Sequence, residues 1–533
     1  MQATESEVLV SPFRCAKDIC ESADSITSMS IIREWINRCD NTHRHPPPKH
    51  RSRPTRLIEI GGHNGKTSRL CSPECSVKFA ALSYRWGPGK QSETTKENVG
   101  ERFKKLMTSE FPKTLQDAIQ VARGLGLEYI WIDRICIVQD DEEEWANEAS
   151  LMADIYASAY VVLSATATED SKDGFLRKRL EPLVIRYAQH GQPDREVRAR
   201  QIESHDCRRY AMKHEYTLYL RGWCMQEKFL ARRIIHFLPD EILFECEHER
   251  ECECGAASKE ESMKRRLGHG YRAFANLRAA PEMTGSFALE WMEIVHDYSK
   301  MELTYGQDSL PALSGVAACM EHLKPGKYIA GLWEHRIVYQ LGWYVNTSPA
   351  TRRWKHPEDV DILGPTFSWS SHVHSVNIIE PSDDAQFICT LGSFQVHPAT
   401  SNPYGPVLHA SLCLRGWVVP GNHMIMRLPT YGIDGDKRKV FVYLDSGYSF
   451  DAFEPCPPVD CGLTYEGLHN KIAWKSVVCF GLHKGSEQDG DLDALLLQPT
   501  NNGEREYVRI GLVSGLDSCW FDEHAVASTV TLV

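Results

Sequence analysis

Two apolar runs joined by an amphipathic helix restrict the fold more than any other feature of this chain. Phe79-Ala-Ala-Leu-Ser-Tyr84 is a short continuous apolar run that stops abruptly at Arg85-Trp-Gly-Pro88, a turn. Tyr129-Ile-Trp-Ile-Asp133 reads the same way, with an acid at its C-terminal end. Between them, Pro112-Lys-Thr-Leu-Gln-Asp-Ala-Ile-Gln-Val-Ala-Arg123 carries Leu115, Ala118, Ile119 and Ala122 on one face. Pro112 suits the first turn of that helix, and Gly124 and Gly126 supply a stop. Strand, helix and strand at this spacing predict a parallel crossover unit, and with it an α/β fold class.

The pattern continues on both sides. The acids Asp140-Asp-Glu-Glu-Glu144 precede a segment with Trp145, Ala149, Met152 and Tyr156 on one face, so they are read as a helix cap, not a metal site. Tyr160-Val-Val-Leu-Ser164 is a third buried strand. Residues 56–60 read as an edge strand, 183–185 and 216–220 as short strands, 221–233 as helix, and 234–237 and 242–244 as strands. Residues 1–40 read as weakly helical around Ile31, Ile32, Trp35 and Ile36, and the basic, proline-rich stretch 43–56 as a linker. From about residue 260 the texture changes to helices (291–298 and 311–322) and, beyond 360, to short strands including 366–370. The expected division is 1–55, an N-terminal segment and linker; 56–255, an α/β domain; and 256–533, a helical and then β-rich domain.

In an open α/β sheet, ligands bind beyond the carboxyl ends of the strands. Arg85, Trp86 and Asp133 are therefore candidates for one crevice, to which Arg221-Gly-Trp-Cys-Met-Gln-Glu227 can add a Trp and a Glu. Composition removes some alternatives. Lys+Arg 60 against Asp+Glu 72 gives −12 over 533 residues, which argues against nonspecific nucleic-acid binding by the whole chain. No apolar run approaches a membrane span, and the N-terminus lacks the basic start and apolar core of a signal peptide. The 18 cysteines are then expected as reduced thiols in a cytoplasmic protein. No metal site is assigned: Cys71 and Cys75 have no second pair at a finger-like distance, and acids fill the gaps among Cys246, Cys252 and Cys254. The polar run 485–493 lacks calcium-loop spacing and reads as a solvated hairpin tip.

Three blocks carry a resemblance. They are Ala81-Leu-Ser-Tyr-Arg-Trp-Gly87; Leu125-Gly-Leu-Glu-Tyr-Ile-Trp-Ile-Asp133 with Cys136-Ile-Val-Gln139 and Met152-Ala-Asp-Ile-Tyr156; and Arg221-Gly-Trp-Cys-Met-Gln-Glu227. In this order, within 79–240, they resemble the fungal heterokaryon-incompatibility (HET) domain. Tyr298-Ser-Lys-Met-Glu-Leu-Thr304, Pro311-Ala-Leu-Ser-Gly315, Gly331-Leu-Trp333 and Ser368-Trp-Ser370 resemble the tail common in such proteins. The family implies non-self recognition between fused hyphae, ending in programmed cell death. The element order is also remotely similar to Toll/interleukin-1 receptor (TIR) domains, in which Trp-Cys-x-x-Glu, here Trp223 to Glu227, supplies the catalytic acid of members that cleave NAD. A long segment between Ser164 and Trp223, and Lys228 after the acid, depart from the TIR pattern.

The resemblance thus implies a TIR-like parallel sheet flanked by helices, with Glu227 as the catalytic residue. Ser83, Tyr84, Arg85, Trp86, Asp133 and Trp223 would line the site, with NAD as substrate and no cofactor required. It also implies self-association and an unknown protein partner. The alternative is the same fold without turnover, signalling by self-association. A third reading uses Cys224 or Cys136 as a nucleophile with His236, but no local thiol-protease signature supports it.

Overall fold

The computed structural model describes residues 17–45, 53–61, 68–74, 76–87, 92–166, 168–187, 195–200, 217–255, 269–345, 364–372, 374–381, 385–420, 441–445, 477–485, 491–500 and 505–533. Much of the proline-rich linker, Cys75 and the middle of the 485–493 tip fall outside them. The chain forms two compact units, 1–268 and 269–533. Among the described residues, no helix is long and apolar enough to cross a membrane.

The first unit is built on strands β1 (Leu57–Glu59), β2 (Arg69–Cys71), β3 (Phe79–Ser83), β4 (Tyr129–Trp131), β5 (Val161–Ser164), β8 (Arg233–Phe237), β9 (Ile242–Cys246) and β10 (Arg250–Cys252), with a separate hairpin of β6 (Leu183–Tyr187) and β7 (Arg195–Ala199). The main sheet runs β10-β9-β8-β5-β3-β4-β1-β2. Its centre, β4-β3-β5-β8, is parallel, as the strand–helix–strand pattern predicts. Every residue of β3, β5 and β8 is buried, which is why β3 and β5 read as nearly continuous apolar runs and not alternations, while β8 carries Arg233 and His236 with polar partners.

The sheet as a whole is mixed, not parallel throughout. β1 pairs antiparallel with both β2 and β4, and β9 pairs antiparallel with β8 and β10. β1 is therefore not the edge strand that the sequence suggests; that place belongs to β2. Direction at the margins depends on connection length: β8 and β9 are separated by four residues, too few for a crossover helix.

Helices cover the faces, and a short one, α2 (Val99–Lys104), lies between β3 and the first crossover helix. In α3 (Lys113–Gly124) the buried residues include Leu115, Ala118, Ile119, Val121 and Ala122, and Pro112 stands at its N-cap. α4 (Asp133–Cys136) is a single turn directly after β4. In α5 (Glu142–Ser158) the Asp141 carboxylate accepts the Glu144 N–H, so the acid run does cap a helix. α1 (Ile26–Thr42) buries Ile32, Trp35, Ile36 and Cys39, and each large apolar side chain contributes about 1.5–3 kcal/mol. α6 (Trp223–Leu230) follows a 3-10 turn, Thr217–Leu220, where a strand is expected from sequence. One turn cannot form the ladder that a strand needs, and the chain moves straight from it into the helix.

The second unit opens with helices His269–Ala279 and Phe287–Ser299. Among the described residues its main sheet has eight strands and is antiparallel except where Glu506 and Tyr507 pair with Thr531 and Leu532. Trp369–Ser371 is a 3-10 turn where a strand is expected, because the Ser368 hydroxyl accepts the Ser370 N–H and closes a local turn in place of ladder pairing.

Candidate active site

Chain order places β3, the first of the parallel strands, between β4 and β5 in space. From β3 the chain goes on to β4 on one side, and from β5 to the parallel strand β8 on the other, which makes the β3–β5 carboxyl rim the switch point where such sheets bind ligands. Ser83 ends β3 and lies in register with Ser164 at the end of β5; Ser164 lies in register with His236 of β8.

Glu227 of α6 reaches this rim. The Ser83 hydroxyl donates to its Oε2, and Ser83 Oγ lies 3.9 Å from Cys224 Sγ. Two arginines tie the segment before α6 to the end of β3: Arg221 Nη1 donates to the Tyr84 carbonyl, and Arg85 Nη1 donates to the Thr217 carbonyl at 3.2 Å. The middle block joins through Asp133. Its Oδ2 accepts Trp86 Nε1–H at 2.8 Å and its Oδ1 accepts the Arg134 N–H at 2.6 Å. Arg134 also lies over the Trp86 ring, 4.5 Å from the centroid. Gly87, at φ +74°, turns the chain away, and a Cβ there would run into the Asp170 carboxylate.

The expected residues thus come together, at different depths. Ser83, Tyr84 and Glu227 are buried, Glu227 at 3% exposure, whereas Arg85, Trp86, Asp133 and Trp223 are partly accessible. Trp223, one turn before Glu227, is half-buried and packs edge-on against Trp145, with ring centroids 6.3 Å apart. Glu227 is not held by Arg233, which bonds to Cys39, Asp40 and the Tyr160 carbonyl.

Burial pushes the Glu227 carboxyl above its ordinary value; Arg221 and the Ser83 hydroxyl oppose that, and the Asp133 charge adds to it. Asp133 is likewise pushed up by burial, against Arg221, Trp86 and Arg134. Burial lowers the pKa of Arg221, but the neighbouring Cys224, Glu227 and Asp133 outweigh it and hold the guanidinium charged. One fixed cation therefore balances two carboxyls of reduced acidity. The thiols are a different case: burial pushes Cys224 and Cys136 up, so neither is a ready nucleophile.

A second polar chain lies along the same rim. Ser164 Oγ is 3.0 Å from Thr166 Oγ1, Thr166 Oγ1 is 3.4 Å from Tyr219 OH, Tyr219 OH is 2.5 Å from His236 Nδ1, and His236 Nε2 is 3.2 Å from Glu245. Sequence reading passed over Arg221, Tyr219 and Glu245. The available signal was an acid inside the apolar run Ile242-Leu-Phe-Glu-Cys246, all five residues of which are buried.

This chain has a pH consequence. Burial lowers His236 to about 4, against Glu245, which opposes the shift, and Lys228 and Arg250, which reinforce it. Below about 6.5 the unfolded chain takes up a proton that the folded imidazole refuses until about 4, so stability falls as pH drops through that window. Glu245, held below its ordinary value chiefly by the His236 hydrogen bond against burial, loses its contribution at still lower pH. Wild type is expected to lose up to about 3 kcal/mol between pH 6.5 and pH 4 through His236, and His236→Gln to flatten that slope in denaturant titrations. An unchanged slope would refute this.

Comparison with known proteins agrees with the blocks that build the site. Residues 79–227 match the model of the family described as heterokaryon incompatibility protein (HET). "Heterokaryon incompatibility protein 6, OR allele" of Neurospora crassa is 38% identical over 102 residues, covering 17% of this chain. The chain covers 15% of that relative's length. No solved structure matches.

Proposed function

Because residues 79–227 carry a HET domain, we propose that this chain acts in incompatibility-type non-self recognition in the fungal cytoplasm, triggers cell death, and does so by splitting NAD. The observation that carries the chemical part is the Glu227 carboxyl at the β3–β5 switch point, bonded to Ser83 and balanced by Arg221.

Nicotinamide is joined to ribose as a cationic ring and leaves as a neutral one, so cleavage requires no general acid. As the C1–N bond breaks, its electron pair goes to the ring and positive charge grows on the sugar. An ionised Glu227 would stabilise that charge and hold a ribose hydroxyl. Water then bonds to C1, giving ADP-ribose, nicotinamide and one proton. Arg85 is suited to a phosphate, Asp133 to holding the Trp86 loop or a ribose hydroxyl, and Trp223 to an apolar wall. NAD is the substrate here, and no further cofactor is invoked.

The test is nicotinamide release by the purified full chain. Because only ionised Glu227 serves, and burial raises its pKa, the rate should rise with pH along a limb lying above the ordinary carboxylate range. Self-association that completes the site predicts a specific activity rising with protein concentration. No nicotinamide release at any concentration would sink the enzymatic reading.

The 3% exposure of Glu227 favours a second reading, in which Ser83, Glu227 and Arg221 only pack the rim and the domain signals by self-association with a protein partner. Cell death that persists in Glu227→Gln would select it.

A further inference from the structure

A group of thiols and imidazoles lies away from the parallel-strand rim, at the other side of β8. Cys39 sits in the last full turn of α1 and His43 is its C-cap, four residues on, so both project from one side of the helix end. His45 follows, and Cys246 ends β9. One ligand atom from each of Cys39, His43, His45 and Cys246 lies within 4.8 Å of all the others. We propose that these four side chains form a structural zinc site that pins the end of α1 to the end of β9.

The geometry suits the ion. Cys39 Sγ is 3.0 Å from His45 Nε2, and Cys246 Sγ is 3.5 Å from His43 Nδ1. A tetrahedron with Zn–S about 2.3 Å and Zn–N about 2.0–2.1 Å has edges of about 3.3–3.8 Å, so only small adjustments are needed. Two thiolates neutralise the dication, and two sulfurs with two nitrogens is a set that closes a structural site without an open position.

The surroundings point the same way. A metal-bound imidazole usually gives its other N–H to a carboxylate. Here His45 Nδ1 is 3.0 Å from Glu247, and His43 Nε2 is 3.8 Å from Glu249. Each of these histidines therefore turns one nitrogen toward a cysteine and the other toward an acid. Backbone N–H groups of His248 and Glu249 donate to Cys246 Sγ at 3.4 and 3.3 Å, and Arg233 Nε donates to Cys39 Sγ at 3.1 Å. N–H groups aimed at sulfur favour the thiolate, the form that binds zinc. The two cysteines stand about 200 positions apart in sequence, and closing so long a loop is where a metal clip restricts the unfolded chain most. Glu241, Cys252 and Cys254 also cluster, but they offer one acid and two sulfurs and lack this imidazole arrangement.

The test uses the full chain, purified reduced and without added metal, with zinc counted after dialysis against a weak chelator. A single equivalent should remain, and Co2+ exchanged into the protein should give visible bands of a tetrahedral centre with thiolate charge-transfer bands in the near ultraviolet. Cys246→Ser and His45→Gln should lose the metal, whereas Cys519→Ser, at an exposed thiol, should keep it. Glu247→Gln removes only the carboxylate behind His45 and should weaken zinc binding about 10–100-fold. That variant and the wild-type Co2+ spectrum decide the matter even if Cys246→Ser fails to fold. A folded, reduced wild type that takes up neither zinc nor cobalt would overturn the proposal. So would a Cys39–Cys246 disulfide in peptides mapped without reduction, or Cys246→Ser or Glu247→Gln that binds zinc as the wild type does.

Discussion

Glu227→Gln is expected to lower nicotinamide release by at least about 10²–10³-fold, the usual cost of removing one preorganised electrostatic group. Gln keeps the shape and an oxygen for the Ser83 hydroxyl, so the rim stays packed. Stability should move in the opposite sense to activity. A carboxyl whose folded pKa is raised loses stability as pH rises from its ordinary value through the raised one, because the folded state holds the proton longer than the unfolded state does. At neutral pH the amide escapes that penalty, and the variant should melt no lower than wild type. Full turnover by a folded Glu227→Gln would remove the acid from the mechanism. A large fall in melting temperature would instead mark Glu227 as a structural member of the rim.

The largest expected loss of stability lies in the second unit. The Arg509–Asp445 pair is 0% exposed on both sides, with Nε 2.9 Å from Asp445 Oδ2. Arg509 also donates to the carbonyls of Leu341 and Trp343, and its guanidinium lies 3.4 Å from the centroid of the Trp343 ring. Burial lowers the Arg509 pKa and Asp445 opposes it, so the carboxylate is the counter-charge that makes a buried guanidinium tolerable. Asp445→Asn should cost about 3–5 kcal/mol. For a unit of this size that corresponds to roughly 6–20 °C in melting temperature. The double change Asp445→Leu with Arg509→Met should recover most of the loss, because two apolar side chains leave no orphaned charge. Calorimetry of the three proteins checks this, and a single variant that melts with wild type would refute it.

The sequence by itself determined the parallel heart of the first unit. Phe79–Ser83 and Val161–Ser164 are buried throughout and Tyr129–Trp131 nearly so, so each is almost wholly apolar and legible as a core strand. The helix Lys113–Gly124 between the first two is equally legible, because one covered face imposes its spacing. The rim could be named in advance for the same reason: whatever ends these strands must lie at one edge of the sheet. Only the tertiary structure decided what is non-local. That includes the antiparallel pairing of β1 and β9, the inward turn of Glu227 onto Ser83, and the choice of Arg221 as counter-charge. The same holds for the meeting of Cys39, His43 and His45 with Cys246. Side-chain direction on a short helix buried nearly all round has no periodic signature. Groups brought together from opposite ends of a unit share no spacing from which their contact could be read.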